Sequence, residues 1–325
     1  MLDNSLRALG ATLSLIFAWQ LALSPIAKAQ TYPDKPVRLV IGFPQGGPND
    51  ILGRLIADWL TRDLGQPVMV ENRPGNSGNI GTEAVVRAQP DGTTLLLVGP
   101  ANAISGSLEQ NLPFNFLRDI VPIGGITREA LVLVVHPSVA ARSVVELIAL
   151  AKSKQLRMAS TGVGSSPHLS GELFKSMAGL DLPVIHYAGG GPALAAMIAG
   201  ETEVMLEPMS AAITPVRSGK LRALAVTTAQ RSAVLPVLPA LADAVPGYEA
   251  SAVTGLGAPR GTPDSIITRL NAALNAAHAD PTMKQRLADT GGEPLTGTPV
   301  EFARLMQTET EKWGRVVRAA AAKPK

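Results

Sequence analysis

Three short stretches of this 325-residue chain carry chemistry in one shared format. They are Phe43-Pro44-Gln45-Gly46-Gly47-Pro48-Asn49-Asp50, the run STGVGSSPH from Ser160 to His168, and YAGGGP from Tyr187 to Pro192. Each follows an apolar, strand-like run and precedes an amphipathic, helix-like one. Glycine lets backbone approach a ligand closely, and the first N–H groups of a helix lack partners inside it, at the end where the helix dipole favours an anion. None of the three stretches contains lysine or arginine. A polyphosphate usually recruits such cations, and the spacing G-x-x-x-x-G-K-[ST] occurs nowhere in the chain. A carboxylate fits this bare backbone better. Each helix end contributes roughly 0.3–1 kcal/mol, and each hydrogen bond to a charged group about 1.5–3 kcal/mol. A few from each side reach the roughly 8 kcal/mol of micromolar affinity after association costs.

The grip is therefore expected from backbone N–H groups around Gly46, Gly47 and Asn49, in the loop that also holds Phe43 and Asp50, with Ser160, Gly162, Gly164 and Ser165 closing from the other side. A valine at Gly47 strains the turn if that glycine has a positive φ. The far end of the ligand is expected to meet Asn102, His168, Tyr187 and Glu207. An ionised Glu207 repels a second ligand carboxylate and favours a monocarboxylate, an amino acid or an aromatic acid. A buried, protonated Glu207 instead donates a hydrogen bond and readmits dicarboxylates.

His168 beside Ser165 and Ser166 suggests a competing chemistry, a nucleophile with its base, and an exported hydrolase is the alternative reading. The nucleophile-elbow pattern G-x-S-x-G is absent, and a serine capping the following helix accounts for the same residues. His136, His186 and His278 are scattered, with no H-E-x-x-H and no carboxylate-rich loop, so neither a metal nor another cofactor is expected. Asp50 is expected to stabilise the first turn of its helix, and Arg73, in ENRPG, to fix its loop through a nearby carboxylate.

The elements that must position these turns alternate strand and helix. Val37–Phe43, Val68–Glu71 and Thr94–Val98 read as strands around helices at Asn49–Leu64 and Ile80–Ala88, an order that calls for a parallel sheet with right-handed crossovers. The first helix has Ile51, Leu52, Leu55, Ile56, Trp59 and Leu60 on one face. A second run brings strands at Leu131–Val135, Leu156–Ser160, Pro183–His186, Glu203–Leu206 and Leu221–Thr227. Helices there cover Val144–Ala151, the segment through Met177, and Ala193–Ala199. A strand at Ala252–Ala258 and three proline-opened helices (Pro263–His278, Pro281–Thr290, Pro299–Ala319) return to the first half. The expected architecture is α/β: two lobes of parallel-rich sheet flanked by helices, with two crossing strands as a hinge. Residues 30–129 and 252–325 form the first lobe and residues 130–251 the second, with hinges near Arg128–Leu131 and Ala250–Thr254.

Composition narrows the setting. Arg7, the apolar run Ala8–Leu23 and the A-x-A triplet Ala27-Lys28-Ala29 read as an export signal over residues 1–29, cleaved after Ala29. The apolar run is shorter than the ~20 residues of a spanning helix. No cysteine is present, so neither disulfides nor thiolate metal sites are available. The formal charge of +3 includes Arg7, Lys28 and Asp3, leaving about +2 after cleavage, too little and too evenly spread for a nucleic-acid surface. Aromatic residues at 4% also argue against base-stacking platforms.

Taken together, YPDKPVRLVIGFPQGGPNDILGR, VENRPGNSGNIGTEAV, PDGTTLL, STGVGSSPHLSGELFK and HYAGGGPALAAMIAGE resemble the Bug family, the TctC-type receptors of tripartite tricarboxylate transporters. The match runs from about Tyr32 to the C-terminal helix. The resemblance implies a periplasmic binding protein, not an enzyme, whose two lobes close on a small organic acid. One carboxylate is then gripped by Phe43–Asp50, often through ordered water, and Ser160–Ser165 adds backbone and hydroxyl donors. The partners so implied are that acid and, in some members, a membrane permease; other members act as sensors. Two departures lie near the distal side of the cleft. His186-Tyr187-Ala188 stands where the family often has a lysine or an aromatic-lysine pair, and Glu207-Pro208 where it usually has an aspartate-asparagine pair.

Overall fold

Strand β1 (Val37–Ile41) is buried at four of five positions, Arg38 alone reaching solvent, and β3 (Thr94–Val98) at all five, the burial expected of strands covered on both faces. The chain is described here from a computed structural model, over residues 32–109, 111–232 and 235–321. The expected export segment lies outside the described residues. Helix α1 (Pro48–Leu64) opens on proline and stops at Gly65, a left-handed cap with φ 72°. Its buried stripe is Asp50, Leu52, Gly53, Leu55, Ile56, Ala57 and Leu60. Ile51, expected on that stripe, is exposed. The inward position of the first turn is taken by the Asp50 carboxylate.

The first half continues through β2 (Val68–Asn72), α2 (Asn79–Val86) and, after β3, α3 (Pro100–Leu108). No helix was expected after Gly99-Pro100. Proline at the first helical position and the Asn102 side chain accepting from the Gly99 N–H at 2.8 Å explain why one forms. A short helix α4 (Phe116–Asp119) leads into β4 (Ile120–Val135), of which the sequence reading found only Leu131–Val135. The preceding IVPIGG segment lacks strand signature, and the pairing slips at Pro122/Gly124 and Gly125/Thr127. Those bulges absorb the proline and bring the backbone against Asn271 and Leu295.

In the second half, α5 (Val144–Ser153), β5 (Met158–Ser160), α6 (Ser166–Ala178), β6 (Val184–His186), α7 (Gly190–Ala199) and β7 (Val204–Pro208) follow in turn. Helix α8 (Met209–Arg217), missed because it contains Pro215, precedes β8 (Arg222–Val226) and β9 (Ser251–Pro259). Helices α9 (Asp264–Ala279) and α10 (Pro281–Asp289), the short strand β10 (Gly292–Pro294) and α11 (Pro299–Ala321) complete the described chain.

The strands form one path, β2-β1-β3-β9-β4-β7-β5-β6, with β8 and β10 also paired to β4. Pairings β2/β1/β3 and β7/β5/β6 are parallel, while β9 and β4 join the two groups through antiparallel pairs. The sheet is thus mixed. Leu131, Leu133 and Val135 face a core with Leu147, Phe174 and Trp313, while Val132 and Val134 face another with Met197 and Met205. Helix α11 serves both halves, giving Phe302 and Met306 to the core around Val40 and Leu96, and Trp313 and Val316 to the one around Phe174.

Gly255 lies where β9 meets both β3 and β4. A methyl group there collides with Cζ of Phe302 and lies 2.5 Å from the Gly124 carbonyl oxygen. Gly255→Ala should therefore cost about 1–3 kcal/mol by overpacking. Urea unfolding monitored by circular dichroism should show an earlier midpoint at unchanged slope, and an unshifted midpoint would contradict this packing.

Candidate functional site

The β1–α1 loop is tied from inside by one carboxylate. Asp50 is buried; its Oδ2 accepts from the Gly46 N–H at 2.9 Å and from Arg54 Nε at 2.9 Å, and its Oδ1 accepts from Asn72 Nδ2 at 2.9 Å. Asn72 also donates to the Phe43 carbonyl at 3.0 Å. The Arg54 hydrogen bond above all, then the Gly46 and Asn72 donors, hold the Asp50 pKa down at about 2 against its burial. Asp50 therefore builds the loop, and Gly46 spends its N–H inward. The N–H groups of Gly47 and Asn49 open the helix without partners inside it. The positive φ belongs to Gly46, at 82°, whereas Gly47 has φ −80° and room for a Cβ, so a valine at Gly47 crowds the site without straining the turn.

Neighbouring helix starts face the same region. Asn49 Oδ1 lies 3.9 Å from the position of a Cβ at Gly99, at the head of α3. Gly42 meets the Gly78 backbone so closely that a Cβ would sit 2.7 Å from Gly78 Cα, which brings the head of α2 against Phe43. The sequence shows this third helix, as Ile80–Ala88 after the glycine-rich NRPGNSGNIG connection, but not that its start lies beside the first turn. Asn102 does not reach outward. Its amide oxygen accepts from the Gly99 N–H and its amide nitrogen donates to Thr82 Oγ1 at 2.8 Å, so the side chain folds back on the Gly99 N-cap of α3.

The second-half turns lie at the carboxyl ends of parallel strands β5 and β6, the edge where open α/β sheets receive ligands. Gly162 and Gly164 have φ 121° and 76°. Ser165 caps α6, accepting from the His168 N–H at 3.3 Å, and its hydroxyl donates to the Gly162 carbonyl at 2.7 Å. His168 Nδ1 accepts from the Gly164 N–H at 3.0 Å, and its ring meets His186 edge-on at 4.7 Å. Burial first, and His186 second, lower the His168 pKa to about 4, so the ring is neutral at physiological pH. His186 Nδ1 lies 3.2 Å from Ser160 Oγ. The Tyr187 N–H donates to the Ser160 carbonyl at 2.9 Å, locking the third turn to the second. Among the described contacts no serine hydroxyl reaches His168 as a nucleophile reaches its base. That geometry lends the hydrolase alternative no support.

Glu207, at the end of β7, completes this cluster. Its Oε1 lies 3.8 Å from where a Cβ of Gly190 would stand, at the head of α7, and Thr161 Cγ2 lies 4.0 Å from the same point. The side chain is buried, and Oε2 has no hydrogen-bond partner among the described residues. Desolvation, reinforced by Glu129 on β4, pushes its pKa up to about 8. The predicted residues thus form two groups, one per half. They approach each other where Leu108 Cδ1, at the end of α3, comes within 2.5 Å of a Cβ placed on Gly164. Arg73 pairs with Glu71, as its loop role requires. A cavity of about 370 Å³ lies elsewhere, between α6 and α11. Lys312 on its wall pairs with Glu249 and Glu309, and Glu172 with Lys175, while Arg315 also lines it.

This arrangement has known counterparts. A family model described as tripartite tricarboxylate transporter family receptor (TctC) matches residues 52–321. The chain belongs to that family. Protein BugT of Bordetella pertussis is 35% identical over 315 residues, covering 95% of this chain and 97% of that one. Rpa4515 of R. palustris, solved with adipate, superposes with a TM-score of 0.80 at 34% identity, covering 89% and 98% of the two chains. MatC (Rpa3494) from Rhodopseudomonas palustris, solved with bound malate, gives 0.76 at 31%, covering 88% and 100%. TctC membership makes the chain a periplasmic-type α/β solute receptor and not an enzyme.

Two outcomes test this geometry. Asp50→Ala releases the Gly46 N–H and the Asn72 amide, so the variant should lose about 1–3 kcal/mol in chemical denaturation; a change below 0.5 kcal/mol, on the scale of ordinary surface substitutions, contradicts the loop's internal tie. Glu207 keeps its proton in the folded protein up to about pH 8, whereas the unfolded chain releases it near the usual carboxylate value. Its contribution is therefore complete in acid and lost as pH rises through that window. The melting temperature of the wild type, measured against Glu207→Gln, should fall between pH 5 and pH 9. A constant difference excludes the raised pKa.

Proposed function

We propose that the chain is exported to the periplasm, loses residues 1–29 after Ala29, and captures a small organic carboxylate between two lobes for a tripartite permease. The observation that carries this reading is the pair of cation-free helix starts, Gly47–Asn49 on one half and Ser160–Ser165 on the other. An anion held there is bound by N–H groups and dipoles. Adipate in Rpa4515 and malate in MatC, both carboxylates, support the ligand class.

Closure belongs to the same proposal. Residues 30–129 with 252–325 form one lobe and residues 130–251 the other, and the path between them runs through β4 and β9 near Arg128–Leu131 and Ala250–Thr254. Each half offers only part of the grip, so the ligand stabilises the closed form by its extra affinity for it. Asn102 and the Gly46 N–H are withdrawn from the grip, being engaged internally.

Titration calorimetry of the residue 30–325 protein against mono-, di- and tricarboxylates should give micromolar binding of at least one, without consumption. Small-angle scattering at saturation should show a smaller radius of gyration. Binding of none of these acids refutes the ligand class; tight binding at unchanged radius refutes the hinge.

A further inference from the structure

Within the carboxylate-receptor reading, on which this inference rests, one group is left chemically unexplained. Glu207 is 2% exposed, its Oε2 has no partner among the described residues, and it stands beneath the start of α7. Buried polar atoms are nearly always hydrogen-bonded, so an orphan at a ligand-facing strand edge calls for a missing partner.

The surroundings decide which form of the acid is present. No described residue donates to Glu207 Oε2, and the charged group bearing on the side chain is Glu129 of β4, itself a half-buried acid bonded to the Ser210 N–H and hydroxyl. Strand β5 (Met158–Ser160) and helix α7 (GGPALAAMIA) bring no titratable side chain, and α8 brings only Arg217, in its last turn. From the adjoining turn and β6 come Tyr187 and the neutral-leaning His186. An ionised Glu207 therefore has no counter-charge, and the raised pKa agrees with a retained proton. A neutral acid is a hydrogen-bond donor as well as an acceptor.

Helix α7 supplies the complement. Gly189 has φ 120°, a Cβ at Gly191 would meet nothing within 4 Å, and the first N–H groups of the helix lack internal partners. We propose that neutral Glu207 is a specificity-determining residue that donates its O–H to an oxygen of the ligand's distal carboxylate, with the N–H groups of Gly190 and Gly191 receiving the rest of that charge. The receptor then selects α,ω-dicarboxylates over monocarboxylates of the same carbon number.

The test is calorimetry with four- to six-carbon α,ω-dicarboxylates, their monocarboxylate counterparts and an amino acid, on wild type, Glu207→Gln and Glu207→Ala, each first shown folded by thermal melting. At pH 6.5 the wild type should prefer the dicarboxylate at least tenfold, and that preference should shrink about tenfold at pH 9. Glu207→Gln, still a donor, should keep the preference and lose its pH dependence. Glu207→Ala should lose the preference while binding the monocarboxylate within threefold of wild type. Tenfold tighter dicarboxylate binding by Glu207→Gln at pH 6.5 shows a charged, repelling Glu207 and overturns the proposal. Selective loss of amino-acid binding in that variant, or identical profiles in all three proteins, as expected if a water satisfies Oε2, also overturns it. Binding of no carboxylate by the wild type refutes the receptor reading itself, a separable result.

Discussion

The antiparallel pairing of β4 with β9 is the constraint from which the remaining structure follows. Among the described strands, β4 also pairs β7, β8 and β10, so the sheet of the second half hangs from its last residues while its first residues run beside β9. The pairing places Thr127 Oγ1 and Thr254 Oγ1 2.7 Å apart in the interior, a buried hydroxyl pair that keeps the two strands in register. Helix α11 then covers the junction, with Lys312 bound to Glu249 and Glu309, and Glu249 also to Arg128. Opposing charges at this point hold α11 to the segment entering β9 and, through Glu249, to Arg128 of β4, within a partly buried network.

That frame explains why the chemistry sits at turns. Parallel strands end on one edge, and helices that cross back from that edge present their starts to the same space. A site assembled from helix starts needs backbone near the ligand, and glycine there costs conformational entropy and leaves the loop floppy unless something fixes it. In the first half Asp50 does so, by accepting from Gly46, Arg54 and Asn72 at once. In the second half the hydroxyl of Ser165 and the rings of His168 and His186 take that part. Side chains that look catalytic in sequence thus brace the glycine turns.

The chain's sequence determined much by itself. The alternation of apolar strands and amphipathic helices, the proline-opened helix starts and the glycine turns follow from local sterics and periodicity, which do not depend on the rest of the fold. The absence of lysine and arginine from three turns pointed to dipole and N–H recognition for the same local reason. Ser165 as a helix cap was legible too, since capping requires only a side-chain oxygen three residues from an unpaired N–H.

What tertiary structure decided lies in contacts across long sequence separations. The first half of β4 is strand only because β9 and β10 pair with it despite Pro122, Gly124 and Gly125. Asn102 turned inward because Thr82, twenty residues away, accepts its amide proton. Ile51 was pushed to the surface by a carboxylate whose partner Asn72 lies on another strand. Glu207 could be named as informative from its position, but its charge state could not be read, because a pKa depends on desolvation and on Glu129, 78 residues earlier in the chain. Local periodicity sets the elements; dielectric surroundings and distant partners exist only once the chain has folded, and they set the chemistry.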